Sequence, residues 1–271
     1  MTIRRRGFTL VELLTVIAII SLLVGIIIPS LARAKDLAQR ASCQSTLKGL
    51  SDAVHMYATK YEMLPTYEDG SKSSACVGKN RNSEEPSSAE SNTRAWFLLI
   101  RDGLTTREQF LCAADRRVDR DSYQLADLYD FPTSGGEYPL SYSLQRTKLG
   151  PGGSGARVTR MEKGSLVIAA DHNGLYRWSK TSNSYAEVSR DSSVKLNEDK
   201  IKQSNSPNHS NRAGQNVLRL DGSAGWQETP LCGIEKDNIY TQADGSDLGD
   251  ATLTGAPKQK RGKVYDSLLV P

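Results

Sequence analysis

Phe8 to Leu31 reads FTLVELLTVIAIISLLVGIIIPSL, 24 residues carrying one charged side chain, Glu12. At the helical rise this run extends about 36 Å, enough to cross the hydrocarbon of a bilayer. Three arginines, Arg4, Arg5 and Arg6, precede it, and Arg33, Lys35 and Arg40 follow. Cations on both sides leave the positive-inside rule near a tie. An ordinary secretory signal has a shorter apolar stretch, of about 7 to 15 residues, and a small-x-small cleavage site. Ala32-Arg33-Ala34 supplies such a site, so cleavage after Ala34 competes with retention of the span. The length of the run and the carboxylate near its start count against that cleavage.

Glu12 and Pro29 have physical consequences of their own. A charge at the bilayer centre costs about 2.5 to 3.5 kcal/mol on insertion scales, so Glu12 needs a partner or a shallow position. A positive group on a neighbouring copy is one such partner, and pairing with it would fix the step between copies. Snorkelling of Glu12 into the headgroups is the alternative. Pro29 removes a helix hydrogen bond, which predicts a bend or a local loosening, or a helix stop where the membrane ends.

Gly7-Phe8-Thr9-Leu10-Val11-Glu12, after three arginines and before unbroken hydrophobicity, closely resembles the amino terminus of type IV prepilins and type II secretion pseudopilins. In that family a prepilin peptidase cuts after the glycine on the cytoplasmic side and methylates the new amino terminus. The resemblance implies a leader over residues 1–7 ending at Gly7, a methylated Phe8, and Glu12 as the fifth mature residue. Pro29 matches the helix-kinking proline often found at the twenty-second. It further implies a single-pass protein of the inner membrane, with its amino terminus cytoplasmic and its head periplasmic, or at the cell surface after assembly. The partners implied are the peptidase, lipid, and other pilin or pseudopilin subunits.

The residues beyond the span predict a continuing helix. Cys43, Leu47, Leu50, Val54, Tyr57, Tyr61 and Leu64 alternate at spacings of four and three and form one apolar stripe. Lys48, Ser51, Asp52 and Lys60 mark the wet face, and Arg33 to Ser42 reads as an exposed neck. Pro65 disfavours helix at Leu64, so the helix should end near Glu62. The organisation expected is a transmembrane and assembly helix over residues 8–31 and an amphipathic stalk over 32–64. A head over 65–243 and a carboxyl-terminal loop or tail over 244–271 follow.

In the head, Thr66 to Thr93 reads as a long surface loop. Arg94 to Arg101 reads as a short buried helix stopped by Asp102-Gly103. Ser165 to Ala170, then Asn173-Gly174, then Leu175 to Trp178 predicts a hairpin. Asn216 to Leu220, Asp221-Gly222 and Ser223 to Gln227 predicts a second. The fold class expected is therefore α+β: a long amino-terminal helix packed on a small antiparallel sheet. Three scattered segments resemble a prepilin-like group abundant in planctomycetes: Cys43 to Leu50, Phe110 to Asp115, and His209 through Asn216-Val217-Leu218 to Asp221-Gly222. The match departs from the group's pattern at Ala113, where proline is usual, and in the longer separation of His209 from Asp221.

No catalytic constellation emerges. His55, His172 and His209, with Asp171 and Asp221, lack the short spacing of a metal motif and read as turn or sheet residues. Gly150 to Gly155 formally fits a phosphate-binding glycine pattern but lacks the flanking strand and helix. Ser154 lies outside a nucleophile elbow. The sequence thus predicts no enzyme and no cofactor; Asp244, Asp247 and Asp250, whose carboxylates are of the type calcium takes, read first as a solvated acidic loop, with a calcium site as the alternative. Cys43, Cys76, Cys112 and Cys232 allow three pairings. Cys43 with Cys112 is the first choice because both flank core segments, and buried free thiols are the alternative. The net charge of +4 falls to +1 without the three leading arginines. Nucleic acid is excluded as a partner on that ground, and the late run Lys258 to Lys263 reads as a solvated tail. The other function considered is an exported or anchored ligand-binding module, with Trp178, Tyr185 and Trp226 as its aromatic face.

Overall fold

The computed structural model describes residues 9–62, 64–65, 93–115, 131, 140–145, 164–172, 174, 176–179, 184–187, 205–234, 239–240, 242–243, 251–252 and 269–270. The chain divides into two compact units, Met1–Gln39 and Arg40–Pro271. Helix α1 spans Leu10–Tyr61 and includes Pro29.

In the first unit the described residues are helical and their apolar side chains are bare. Leu10, Leu22, Ile26 and Leu31 are each more than 60% exposed. The helix is long and apolar enough there to cross a membrane, and none of its most apolar window is buried by the protein.

The second unit holds the core. From Cys43 onward α1 buries Cys43, Leu47, Leu50, Ser51, Ala53, Val54, Tyr57 and Ala58. Two positions differ from the stripe read in the sequence. Ser51, assigned to the wet face, is buried, because the turn at Gly222 comes close enough that a Cβ on Gly222 would stand 3.2 Å from Ser51 Oγ. Tyr61 is exposed and tilts against Tyr57 at 4.5 Å. The helix ends with Glu62 in the left-handed region, φ 57°.

Helix α2 spans Arg94–Arg101. Gly103, at φ 70°, ends it, while Leu104 N–H donates to Leu99 O and Gly103 N–H to Ile100 O, both at 3.0 Å. This pair of bonds satisfies the last carbonyls and requires a residue at ease with positive φ. Phe97 and Phe110 close edge-on over Phe131, with centroids 5.1 and 4.8 Å away. A 3-10 turn at Arg107–Phe110 leads to Cys112.

The strands are β1 Tyr142–Gln145, β2 Val167–Asp171, β3 Tyr176–Ser179, β4 Ser184–Glu187, β5 Gln215–Arg219, β6 Ala224–Gln227, β7 Gln242–Ala243, β8 Ala251–Thr252 and β9 Leu269–Val270. Five form an antiparallel sheet in the order β6-β5-β2-β1-β9, and β3-β4 and β7-β8 form separate pairs. This is an α+β, pilin-like arrangement of long helix and small antiparallel sheet.

The centre of the sheet is buried on both faces. Leu144, Leu166, Ile168, Ala169 and Leu218 join the main core with α1 and α2, whereas Val167, Ala170 and Val217 pack with Ile239 and Tyr240. An extra residue in β2 between Val167 and Ala169 shifts its register against β5 and bends the alternation.

Three sequence expectations change here. The hairpin expected around Asn173-Gly174 does not form: β2 pairs with β1 and β5, and β3 pairs with β4. A strand buried on both sides takes its neighbours from distant segments, which a local turn signal cannot show. The second hairpin forms, with Leu218 opposite Ala224, but its loop has three residues, Leu220 to Gly222, closed by Arg219 N–H donating to Ser223 O at 2.9 Å. Only Gly222, φ 85°, is left-handed there, which is the form of a one-residue bulge turn. Residues 244–271, expected as a loop or tail, contain β8 and β9, and β9 is an edge of the main sheet through Leu144–Val270. A two-residue strand leaves no visible alternation.

Candidate functional site

Two places in the molecule carry more chemistry than packing needs. One is a polar cluster inside the head. Cys43, on α1, and Cys112, after the 3-10 turn, form a disulfide with Cα atoms 5.3 Å apart. His209 Nε2 stands 3.9 Å from Cys112 Sγ and 3.2 Å from Asp171 Oδ2, and both the His209 and Asp171 side chains are fully buried. Asp171 ends β2. Its Oδ2 accepts from Asn216 N–H at 2.6 Å and from Asn216 Nδ2 at 3.3 Å, and Oδ1 accepts from Asn208 Nδ2 at 3.4 Å. Its carbonyl accepts from the Tyr240 hydroxyl at 2.6 Å. A buried carboxylate so surrounded has its desolvation offset by convergent donors.

The loop delivering His209 is pinned by side chains. Asn205 Nδ2 donates to Arg212 O at 3.0 Å and Glu228 O at 2.8 Å, and Arg212 Nη1 donates to Asn205 O at 3.2 Å. Asn211 and Arg212 both adopt positive φ, 57° and 50°, an expensive turn for such residues that this bonding holds in place. Trp226 lies edge-on to His209 at 5.2 Å and carries the Arg40 guanidinium 3.9 Å above its ring. Burial pushes the Tyr240 and Tyr142 hydroxyls well above the ordinary phenol value, and the Asp171 charge pushes in the same direction.

The second place is the start of α1. Thr9 caps the helix: its carbonyl accepts Leu13 N–H at 3.3 Å and its Oγ1 accepts Glu12 N–H at 3.2 Å. Glu12 reaches back, Oε2 accepting Thr9 N–H at 2.8 Å and Thr9 Oγ1 at 2.7 Å. This is a reciprocal capping box. Within the apolar run, Thr15, Ser21 and Ser30 donate their hydroxyls to Glu12 O, Ile17 O and Ile27 O at 2.7 to 3.0 Å. The run therefore presents almost no unsatisfied side-chain polarity to its surroundings, which is what lipid demands. Pro29 lacks the N–H that would meet the Gly25 carbonyl.

The family model for the prokaryotic N-terminal methylation motif matches residues 3–28. The amino terminus of the chain is prepilin-like. The chain is 39% identical over 66 residues to competence protein ComGC of Halalkalibacterium halodurans, covering 24% of this chain and 65% of that one. It is 39% identical over 67 residues to type II secretion system core protein G of Klebsiella pneumoniae, covering 25% and 48%. Against the core protein G of Escherichia coli K12 it is 35% identical over 72 residues, covering 27% and 50%. The chain thus spans about half to two thirds of the length of these relatives. No solved structure matches it significantly.

For this prepilin-like chain, the processing residues Gly7 and Phe8 lie outside the described residues, as do Asp244, Asp247 and Asp250 and the run Lys258 to Lys263. Glu12 and Pro29 lie within α1. Of the histidines and acids considered together in the sequence, the structure unites His209 and Asp171. His55 is exposed on α1 beside Gly222, and Asp221 is occupied in the β5–β6 turn, accepting Ser223 N–H at 2.8 Å. His172 is buried next to Asp171 in the chain. Of the aromatic face considered for ligand binding, Trp226 is described, with His209 edge-on to it and Arg40 over its ring; the side chains of Trp178 and Tyr185 lie outside the described residues. Asn208 and Asn216 were missed as site residues. The signal for Asn216 was its place in the His209-to-Gly222 segment.

Proposed function

We propose that this chain is a structural subunit, inserted in the inner membrane through residues 8–31 and assembled through them into a pseudopilus or pilus. The observation that carries this reading is the bare apolar run of α1 within and just beyond the methylation-motif match: Leu10 to Leu31 offers lipid, or the helices of sibling subunits, a greasy surface with Glu12 as its one charge. Prepilin peptidase would cut after Gly7 on the cytoplasmic side and methylate Phe8. The new amine would then sit where the Glu12 carboxylate of a neighbouring subunit can pair with it. The head would face the periplasm, and its role is structural, the cohesion of the filament coming from helix packing.

The capping box gives Glu12 an occupation before assembly. Its Oε2 accepts both bonds from Thr9 within one chain, so the carboxylate enters the membrane already hydrogen-bonded. Pairing with an incoming amine would exchange or share those bonds.

Mass spectrometry of the mature amino terminus tests the reading. A chain beginning at methylated Phe8 is expected. One beginning at Lys35 would mean simple secretion, and would return the exported binding module to first place.

A further inference from the structure

The disulfide does not stand alone. Sγ of Cys43, Sγ of Cys112, Nε2 of His209 and a carboxylate oxygen of Asp171 all lie within 4.8 Å of one another, and all four residues are buried. Two of the spacings are 3.2 Å, nitrogen to oxygen, and 3.9 Å, nitrogen to sulfur. Around one tetrahedral Zn²⁺, with bonds of about 2.0 Å to nitrogen or oxygen and 2.3 Å to sulfur, neighbouring donor atoms stand roughly 3.3 to 3.8 Å apart. The imidazole and the carboxylate are therefore already at tetrahedral separation; the two sulfurs are too close, being bonded to each other, and the other spacings, none above 4.8 Å, would shorten toward that range as the sulfurs part.

The geometry points to a Zn²⁺ site in the reduced chain, with Cys43, Cys112, His209 and Asp171 as its four ligands. Two thiolates, one imidazole and one carboxylate neutralise the ion with one negative charge to spare, and that excess falls on Asp171, where three donor groups from Asn208 and Asn216 already converge. Such outer bonds orient a ligand and are part of what makes a metal site. Soft sulfur with imidazole favours zinc over calcium or magnesium. The disulfide and the metal exclude each other. Opening the bond by a dithiol gives each sulfur one electron and one proton while the dithiol closes to its own disulfide. Binding of Zn²⁺ then releases the two thiol protons to solvent. Oxidation of the bound thiolates by an external disulfide expels the ion and yields two external thiolates. The site is thus the reduced form of the bond that ties α1 to the head. It does not depend on the assembly function proposed above.

The test uses the full chain in detergent with Cys76 and Cys232 both replaced by serine, so that Cys43 and Cys112 are the only sulfur ligands of this type. A water-soluble phosphine reduces the bond, taking its oxygen from water, and is then removed. Titration with Co²⁺ is expected to give one ion per chain, tetrahedral d–d bands and a thiolate-to-cobalt charge-transfer band, all removed by Zn²⁺. The unreduced chain should give none of these. His209→Ala and Asp171→Ala should each weaken Co²⁺ uptake more than about tenfold. Absence of the charge-transfer band in the reduced parent overturns the proposal, as does undiminished uptake by both variants. Should either variant fail to fold, X-ray absorption of the zinc-loaded parent decides: a mixed shell of sulfur with nitrogen or oxygen supports the site, and a shell lacking either kind overturns it.

Discussion

Glu12 caps α1 through its bonds to Thr9, and under the proposed function it also meets the amine of a neighbouring subunit. Glu12→Gln separates capping from charge, since a carboxamide oxygen can still accept from Thr9 N–H. We expect the variant to insert in the membrane at the normal level but to enter filaments less efficiently in a complementation assay; normal incorporation would leave Glu12 as a cap alone. The buried tyrosines supply a second residue-scale prediction. Tyr142 and Tyr240 ionise well above the ordinary phenol value when folded, chiefly because they are buried. Below a pH of about 10 both states keep these protons, so the hydroxyls add no pH dependence. Above it the unfolded chain loses protons that the folded chain retains, and stability must fall as pH rises. Tyr240→Phe should flatten that alkaline loss in chemical denaturation measured from pH 8 to 11. It should also cost stability at neutral pH, by about 1 kcal/mol for the bond to the Asp171 carbonyl.

Among the elements, the terminators show which local rules were readable. Asp102-Gly103 was legible as a helix stop because only glycine takes a left-handed conformation cheaply, and Gly103 does so. Gly222 has the same backbone requirement plus a crowded neighbourhood, where a Cβ would meet Ser51 Oγ at 3.2 Å and His55 Nε2 at 3.4 Å; at Gly103 it would meet nothing within 4 Å. Gly103→Ala should therefore cost about 1 kcal/mol, the backbone term alone, and Gly222→Ala measurably more in paired thermal melts. Glu62 supplies the converse case. It takes a left-handed φ of 57° at the end of α1 with a Cβ to accommodate, so Glu62→Gly should raise stability by up to about 1 kcal/mol. The Asn173-Gly174 turn was the misleading signal. Its dipeptide is a true turn former, but β2 is buried on both faces and its edges were claimed by β1 and β5 from far along the chain.

At the scale of the molecule, the disulfide is a long-range covalent constraint, linking residues 69 apart. In the chain-entropy model, closing a loop of that size stabilises the fold by about 4 kcal/mol. Cys43→Ser with Cys112→Ser should lower the stability of the head by up to that amount in denaturant titration. The reduced wild-type chain should recover part of the loss on adding Zn²⁺, which the double variant cannot do. The three segments whose resemblance ran to the prepilin-like group meet at this point. Cys43 and Cys112 bond to each other, His209 and Asn216 stand beside them, and the Asp221-Gly222 turn comes to rest against α1.

The sequence by itself determined the apolar run long enough to cross a membrane, the stalk stripe, the stop of α2 and the β5–β6 hairpin, because each is written in periodicity or in one glycine's freedom over a few residues. Tertiary structure alone decided that Ser51 is buried, that β2 lies between β1 and β5, and that residues 269–270 complete the sheet. It also brought Asp171 within 3.2 Å of His209 beside the sulfurs of Cys43 and Cys112. Those outcomes depend on which distant backbones compete for the same hydrogen bonds and the same buried volume, and local spacing holds no record of that competition.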